Sequence, residues 1–192
     1  MKKIIGGIIG LVLTISISVG TAYALFSTTA SVSGITIAAG NAGLEIGTDG
    51  SSYWPDYNFS GSFFDKLYPG VNIFGPQFLI KNTSDANVDL ALFAQLKNGD
   101  AIESPVGSWA ALKDQIYIGF DYYEGTQWKT AGTATLANWN SPGYALEGGA
   151  LAHGDQRWYR IHVTIPSGAD NSIANKGLTN VKFTFTGTQP QP

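Results

Sequence analysis

The sequence predicts an all-β protein built as an antiparallel β-sandwich, and three observations lead to this fold class. Apolar and polar residues alternate with a period of two in most segments after Val71, as expected for strands with one buried face. Turn-forming Gly, Pro, Asn and Asp residues separate these segments at sandwich-like spacings. Only one short segment has a helical pattern. We therefore expect a single β-domain rather than alternating helix and strand units.

The predicted strands place their apolar side chains on one side of the chain. This pattern occurs in residues 88–96, 116–122, 159–165 and 181–186. Residues 71–82 form a further apolar strand, which we expect to be broken or bulged at Gly75–Pro76. The possible helix covers residues 104–115, where Ser108 is predicted to act as the N-terminal cap.

The N-terminus has the three parts of a secretory signal peptide. Lys2 and Lys3 precede an apolar run, and Ala22-Tyr23-Ala24 has the small-x-small form of a cleavage site. We expect cleavage between Ala24 and Leu25, which removes residues 1–24 and leaves 25–192 as one secreted domain without a membrane anchor. The alternative is an uncleaved anchor, because the apolar run approaches the length that spans a bilayer.

Composition restricts the partners that this domain is expected to bind. The formal net charge is −3, the isoelectric point is near 5.2, and Lys and Arg are not clustered. These properties argue against electrostatic binding to nucleic acid or to anionic lipid. Cysteine is absent, so stability must come from a hydrophobic core or from neighbouring copies rather than from disulfides. We expect neutral or protein partners.

The segment 25–39, which follows the cleavage site, is uncharged and has the composition of an extended strand. Its apolar positions change parity at Ser33–Gly34, where a one-residue bulge would restore a single buried face. The segment lacks the Lys or Pro that protects exposed sheet edges. One interpretation of this pattern is a donor strand that completes a sheet in another copy of the protein. The expected anchors are Phe26, Val32, Ile35 and Ile37. The alternative is a first strand that folds into its own sandwich.

Four stretches of the chain resemble the TasA/camelysin (CalY) family of exported fibre proteins. They are "GTAYALFS" followed by "GITIAAGNAGLEI", "LYPGVNIFGPQFLIKNTSDANVDL", "LAHGDQRWYRIHVTIP" and the terminal "VKFTFTGTQ". The resemblance implies a jelly-roll sandwich, export through a dedicated signal peptidase, and fibres joined by N-terminal strand donation at the cell surface or in biofilm matrix. Family members often carry an acidic residue directly after the F-S pair, where this chain has Thr28, so the start of the donor strand is less firmly implied than the fold.

The sequence contains none of the local motifs that would indicate catalysis. The H-E-x-x-H and G-x-S-x-G motifs are absent, and without cysteine no thiol nucleophile exists. His153 and His162 are expected to be exposed, in a turn and on the outer face of a strand. Four acids are scattered through predicted loops and strand ends and are expected to be solvated: Asp65, Asp121, Glu124 and Glu147. We predict no catalytic, cofactor or metal site, although some members of the family carry a metallopeptidase label.

Aromatic residues in Gly-, Ser- and Asn-rich connections suggest a second function. A carbohydrate-binding sandwich would present such rings as stacking platforms. The residues concerned are Tyr53, Trp54, Tyr57, Phe59, Trp128, Trp139 and Tyr144. The interpretation that we favour is that they cover the core or the sheet edges or line subunit contacts. The triplets at Asn58 and Asn82 match the N-glycosylation pattern.

The sequence thus predicts a non-enzymatic subunit of an extracellular filament, such as a biofilm matrix fibre or a bundling pilus. The main partner would be the protein itself, as a head-to-tail homopolymer. Matrix polysaccharide and neighbouring filaments are further candidate partners. The alternative is a secreted monomeric β-sandwich that binds polysaccharide through its loop aromatics.

Overall fold

A computed structural model describes residues 31–33, 35–41, 43–59, 67–84 and 88–190. This part of the chain is mostly β-strand and forms sandwich-like sheets, which confirms the predicted all-β class. The predicted signal peptide, the cleavage site at Ala24 and Leu25, and the anchor residue Phe26 lie outside the described residues.

Fourteen strands and two short α-helices make up the described part. The strands are β1 (Ser31–Ser33), β2 (Ile35–Asn41), β3 (Leu44–Gly47), β4 (Tyr53–Trp54), β5 (Asp56–Phe59), β6 (Asn72–Asn82), β7 (Ala91–Leu96), β8 (Ile102–Glu103), β9 (Tyr117–Glu124), β10 (Gln127–Thr135), β11 (Tyr144–Ala145), β12 (Gln156–Thr164), β13 (Gly177–Thr179) and β14 (Lys182–Thr188). The helices are α1 (Ser108–Leu112) and α2 (Leu136–Asn140), and 3-10 turns lie at Asn98–Asp100 and Asn171–Ile173.

These strands form three sheets. The six-stranded sheet has the order β10-β9-β12-β6-β3-β4 and is antiparallel throughout. The five-stranded sheet has the order β11-β7-β14-β2-β5, and a small third sheet has the order β1-β13-β8. Long-range pairing of this kind is typical of antiparallel sandwiches.

An aromatic cluster joins the two larger sheets. The ring of Phe120 on β9 lies 5.0 Å from Phe183 and 5.4 Å from Phe185 on β14, in edge-to-face contacts. Such geometry is favourable because the positive ring edge meets the negative ring face. Trp139 of α2 also packs on Phe120 at 5.3 Å, and its indole nitrogen donates to the Ile118 carbonyl oxygen at 2.8 Å. The core therefore lies between the two sheets.

The predicted strands match β7, β9, β12 and β14, and the alternate apolar side chains of each strand are buried as expected. The predicted irregularity at Gly75–Pro76 is also confirmed. On β6, Phe74 pairs with His162 and Gln77 pairs with Arg160, so two residues of β6 oppose one residue of β12. This count is that of a β-bulge.

The prediction of a helix over residues 104–115 with Ser108 as its cap is wrong in extent and in the role of Ser108. The helix α1 is only five residues long, and Gly107 occupies the cap position with φ of 87°. Ser108 is the first residue of the helix, and its hydroxyl donates to the Pro105 carbonyl oxygen at 2.5 Å instead of accepting from the next turn. Glycine adopts this left-handed conformation without steric cost, which lets the chain turn sharply into the helix.

Candidate functional site

The N-terminal strands run alongside the C-terminal strands in parallel orientation. Strand β1 pairs with β13, and strand β2 pairs with β14, from Thr36 opposite Lys182 to Asn41 opposite Thr186. All other pairings among the described strands are antiparallel. On its other side β2 pairs with β5, so β2 fills an interior position of the five-stranded sheet.

This arrangement places the predicted donor segment in a sheet of its own chain, which corresponds to the alternative interpretation of the sequence. Ile35 is buried in the core, with 2% of its surface exposed. Ile37 lies between Phe183 and Tyr57 in register, and Val32 lies opposite Leu178, although their side chains are outside the description. Donation of this segment to another copy stays a prediction.

The predicted change of face at Ser33–Gly34 coincides with a boundary between two strands. Strand β1 ends at Ser33 and belongs to the third sheet, whereas β2 begins at Ile35 and belongs to the five-stranded sheet. Gly34 itself lies outside the described residues. The irregularity within β2 falls further along, because Ala39 pairs with Phe185 and Asn41 with Thr186, which leaves Gly40 as the extra residue.

Only two residues, 42 and 43, separate β2 along the chain from β3 of the six-stranded sheet. Gly43 has φ of 65°, and a Cβ at this position would overlap the backbone of Ser84. Its carbonyl oxygen accepts hydrogen bonds from the backbone nitrogen of Thr83 and, at 2.8 Å, from the hydroxyl of Thr83. Gly43 therefore fixes a corner against the end of β6, and the segment that precedes it is joined to the domain through this link.

A second feature is a charged cluster on the outer face of the six-stranded sheet. Asp121 of β9 faces away from the core and is 5% exposed. Its Oδ2 accepts a hydrogen bond from Nε of Arg160 at 2.8 Å and lies 3.5 Å from Nδ1 of His162, both on β12. Within the described part of the chain, Nδ1 of His162 is buried and makes no hydrogen bond. An ion pair and an imidazole thus share one nearly buried site.

The expectation that His162 is exposed is wrong, because the neighbouring strand leaves a space that its ring fills. His162 is only 9% exposed, and it lies over Gly119 of β9, where a Cβ would overlap the imidazole and would lie 2.7 Å from Oγ1 of Thr133. Burial lowers the pKa of His162 below its ordinary value of 6.5, and this effect outweighs the opposing attraction of Asp121. His153 is exposed in a turn, as predicted.

Aromatic side chains surround this cluster. The guanidinium carbon of Arg160 lies 4.1 Å from the ring centre of Phe74 and 4.6 Å from that of Trp128, so the two rings bracket the cation. Trp128 in turn lies 5.2 Å from Tyr123. The strand register explains the grouping: on β9 and β12 Asp121, Arg160 and His162 alternate with core residues, and Phe74 and Trp128 lie opposite His162 and Tyr123 on the neighbouring strands.

The aromatics that the sequence places in loops do not form one surface. Trp139 is fully buried in the core, and Trp128 lies within β10 rather than in a loop. Trp54 and Tyr57 form a separate pair with ring centres 5.4 Å apart. Tyr144 packs on Trp139 and is 38% exposed. The side chain of Phe59 is outside the description.

The four acids singled out in the sequence do not come together. Asp121 belongs to the cluster described above, so the expectation that it is solvated is wrong. Glu124 is exposed and forms an ion pair with Lys129, which lowers the pKa of the carboxyl. Glu147 is exposed, and Asp65 lies outside the described residues. Among the described residues no group of three His, Cys, Asp or Glu side chains is placed to hold a metal ion.

Comparisons with protein-family models, with curated proteins and with solved structures found no match for this chain. In the part of the chain that the structure covers, no helix has both the length and the apolar character needed to cross a membrane.

Proposed function

We propose that this protein is a non-enzymatic structural subunit of an extracellular filament. In the filament, the N-terminal segment of one copy would occupy the β2 position of the next copy, and repetition of this contact would join subunits head to tail. Export after removal of residues 1–24 would deliver the subunit to the cell surface or to a biofilm matrix. The four stretches that resemble the TasA/camelysin family support this proposal.

The observation that carries the proposal is the position of β2. It is held between β14 and β5 by backbone pairing on both sides, and Ile35 is inserted into the core. Its link to the rest of the domain on the C-terminal side consists of residues 42–43. A segment attached in this way can leave its own sheet and enter an identical position elsewhere, because the partner offers the same hydrogen-bond register and the same apolar surroundings.

Exchange of this segment costs little free energy in principle, since the pairing and packing that β2 gives up in its own chain are replaced by identical interactions in another copy. The closed subunit and the exchanged filament would then differ mainly in the conformation of the link and in the entropy of association. The exchanged interface is heterologous, because the surface that donates differs from the surface that accepts. Interfaces of this type give open filaments when the rotation between subunits does not close a ring.

The absence of cysteine in this chain permits a direct test by disulfide trapping. In register, Ala38 of β2 lies opposite Thr184 of β14, and Thr184 lies opposite Gln95 of β7 on its other side. The double variant Ala38→Cys/Thr184→Cys should form disulfides between copies after filament assembly, which gives a ladder on a non-reducing gel. The matched control Gln95→Cys/Thr184→Cys should remain monomeric, because both strands belong to the body of one subunit.

Three other outcomes would contradict the proposal or favour the alternative function. If filaments form and the first variant yields only cross-linked monomers, then β2 stays in its own chain and strand exchange is wrong. If the purified mature protein forms no filaments at high concentration by electron microscopy, then the structural role itself is wrong. A monomer that retains its own β2 and binds to glycan resin would support the alternative function.

A further inference from the structure

The outer face of the six-stranded sheet carries a mixed aromatic and charged patch that the filament proposal does not use. The outer patch comprises Phe74, Asp121, Tyr123, Trp128, Arg160 and His162. These residues come from four adjacent strands, β6, β12, β9 and β10, so the backbone ladder holds them on a rigid surface. Phe74 is 52% exposed and Tyr123 is 41% exposed, so both present ring surface to solvent.

Arg160 has hydrogen-bonding capacity that the described chain does not use. Its Nε donates to Asp121, whereas its two terminal Nη groups donate to no acceptor in the part of the chain that the structure describes. The side chain is 22% exposed, and the rings of Phe74 and Trp128 restrict its position. A guanidinium held in this way offers fixed, directed donors at low entropic cost.

Fold stability alone does not account for this arrangement. An ion pair removed from water loses solvation that its mutual attraction only partly repays, and apolar residues of similar volume often serve the fold as well or better. The buried Nδ1 of His162 is only weakly compensated, because its nearest acceptor, Oδ2 of Asp121, lies at 3.5 Å without the geometry of a hydrogen bond. The rings of Phe74 and Tyr123 contact Arg160 and Trp128 on one side and leave 52% and 41% of their surface exposed, so packing within the subunit uses only part of each ring.

The charges of the patch indicate the class of ligand. The positive charge of Arg160 is balanced by Asp121 at 2.8 Å, and His162 is held mainly neutral by burial. The whole chain has a formal net charge of −3, which disfavours polyanions. A sheet surface with exposed rings and free N–H donors fits the apolar faces and hydroxyl groups of uncharged sugars.

We propose that the outer patch binds a neutral polysaccharide, with Phe74 and Tyr123 stacking on sugar rings and the Nη groups of Arg160 donating to sugar hydroxyls. This site shares only Trp128 with the aromatic residues from which the sequence predicts a carbohydrate-binding surface, and it does not depend on strand exchange. On a filament it would provide a row of equivalent glycan contacts, one on each subunit.

The test is titration of the purified full chain with cellohexaose and with maltohexaose, followed by calorimetry and by tryptophan fluorescence. We expect saturable binding of at least one of the two. Phe74→Ala or Tyr123→Ala should weaken this binding by about twofold to tenfold, because each removes one stacking contact. Tyr144→Ala is the matched control, since Tyr144 has a similar exposure, 38%, and belongs to the five-stranded sheet. It should leave the affinity unchanged.

A further variant separates binding from a structural role of the charged pair. Arg160→Lys keeps a positive charge beside Asp121 but removes the planar pair of Nη donors, so sugar binding should be lost in a variant that still unfolds in one cooperative thermal transition. The proposal is overturned if neither hexasaccharide binds at millimolar concentration, or if the three patch variants bind as the unmodified protein does. Polygalacturonate serves as the anionic control: the proposal is also overturned if it is the only ligand and salt abolishes its binding. A change in self-association of the patch variants without sugar would overturn it as well, since the patch would then contact a second copy.

Discussion

The two large sheets differ in which part of the chain completes them. The six-stranded sheet is antiparallel throughout, and its strands begin only at β3. Its outer face carries the Arg160–Asp121 ion pair and the aromatic rings that contact Arg160. The five-stranded sheet places an N-terminal segment in parallel beside the strand β14, and the buried Ile35 of that segment completes its core. One sheet is complete without the N-terminal segment, and the other is not.

This difference separates two kinds of role. Under the proposed exchange, the position of β2 would be refilled by the same segment of another copy, which suits assembly. A face held by interior strands keeps its side chains at fixed distances, which suits recognition of a ligand. Substitutions and deletions in each sheet can show whether the two sheets differ in this way.

The largest effect is expected from removal of residues 25–39. Ile35 alone should contribute about 2 to 5 kcal/mol through core packing. Removal of the whole segment also leaves one side of β14 without its partner, next to the core residues Phe183 and Phe185. Since small domains are stable by only about 5 to 15 kcal/mol, we expect loss of most of the cooperative thermal transition and of all filaments.

A free peptide of residues 25–39 sharpens this test. If the position can be refilled from outside, the peptide should bind the deletion variant and raise its thermal midpoint in calorimetry. A control peptide with Ile35→Asp should not, because it would place an unpaired charge at the buried position of Ile35. Normal filaments from the deletion variant would contradict the role assigned to β2.

A moderate effect is expected from Gly119→Ala in the six-stranded sheet. The added methyl group would overlap the imidazole of His162 and crowd Thr133, so the outer face would have to rearrange. Overpacking of this kind costs about 1 to 3 kcal/mol, which urea denaturation would measure. Gly132→Ala is a suitable control on β10, because the added methyl group would lie at an ordinary contact distance, 3.6 Å, from the Trp139 ring. Equal stability of the two variants would show that His162 is not confined as described.

The smallest effect is expected from titration of His162. Its pKa in the folded protein lies below the ordinary value of 6.5, so on acidification the unfolded state binds a proton first. Titration of His162 therefore leaves the free energy of unfolding unchanged above pH 6.5 and lowers it as the pH falls from 6.5 towards the pKa of His162 in the folded protein. The groups that face the ring are Asp121, which opposes the shift, and Arg160, which supports it.

The measurement is the urea midpoint between about pH 7.5 and about pH 5.5, a window centred on the usual histidine pKa. The midpoint should fall across this window, and His162→Gln should reduce the fall. The exposed His153 provides the control, so His153→Gln should behave as the unmodified protein. The lowered pKa values of Asp49 and Asp170 act at more acidic pH and do not interfere. An unchanged slope in His162→Gln would contradict the burial assigned to its ring.

The alternation of apolar residues was sufficient to locate the central strands, because their two faces meet different environments. The bulge at Gly75–Pro76 was also predictable, since proline cannot donate to the ladder. Strand β10 was not predicted. It lies at the edge of its sheet and is largely exposed, so its sequence carries almost no alternation. The short length of α1 likewise depends on the turn at Gly107, which the helical pattern does not contain.

Local patterns also failed where burial depends on distant residues. Asn82 matches the glycosylation triplet, yet it is fully buried, and its Nδ2 donates to the carbonyl oxygens of Val88 at 2.8 Å and Leu151 at 2.9 Å. The outer patch has the same origin. No spacing in the sequence relates Phe74 to Trp128 or Asp121 to His162, because their proximity arises from pairing between separate strands.

The sequence by itself determined the fold class, the strands with one buried face, and an uncharged N-terminal segment with the composition of a strand. These features are local, and periodicity and composition record them directly. Only the tertiary structure decided that this segment runs parallel to the last strand, that His162 is buried against Asp121, and that Trp139 belongs to the core. Strand order and register depend on interactions between residues far apart in the chain, which no local pattern encodes.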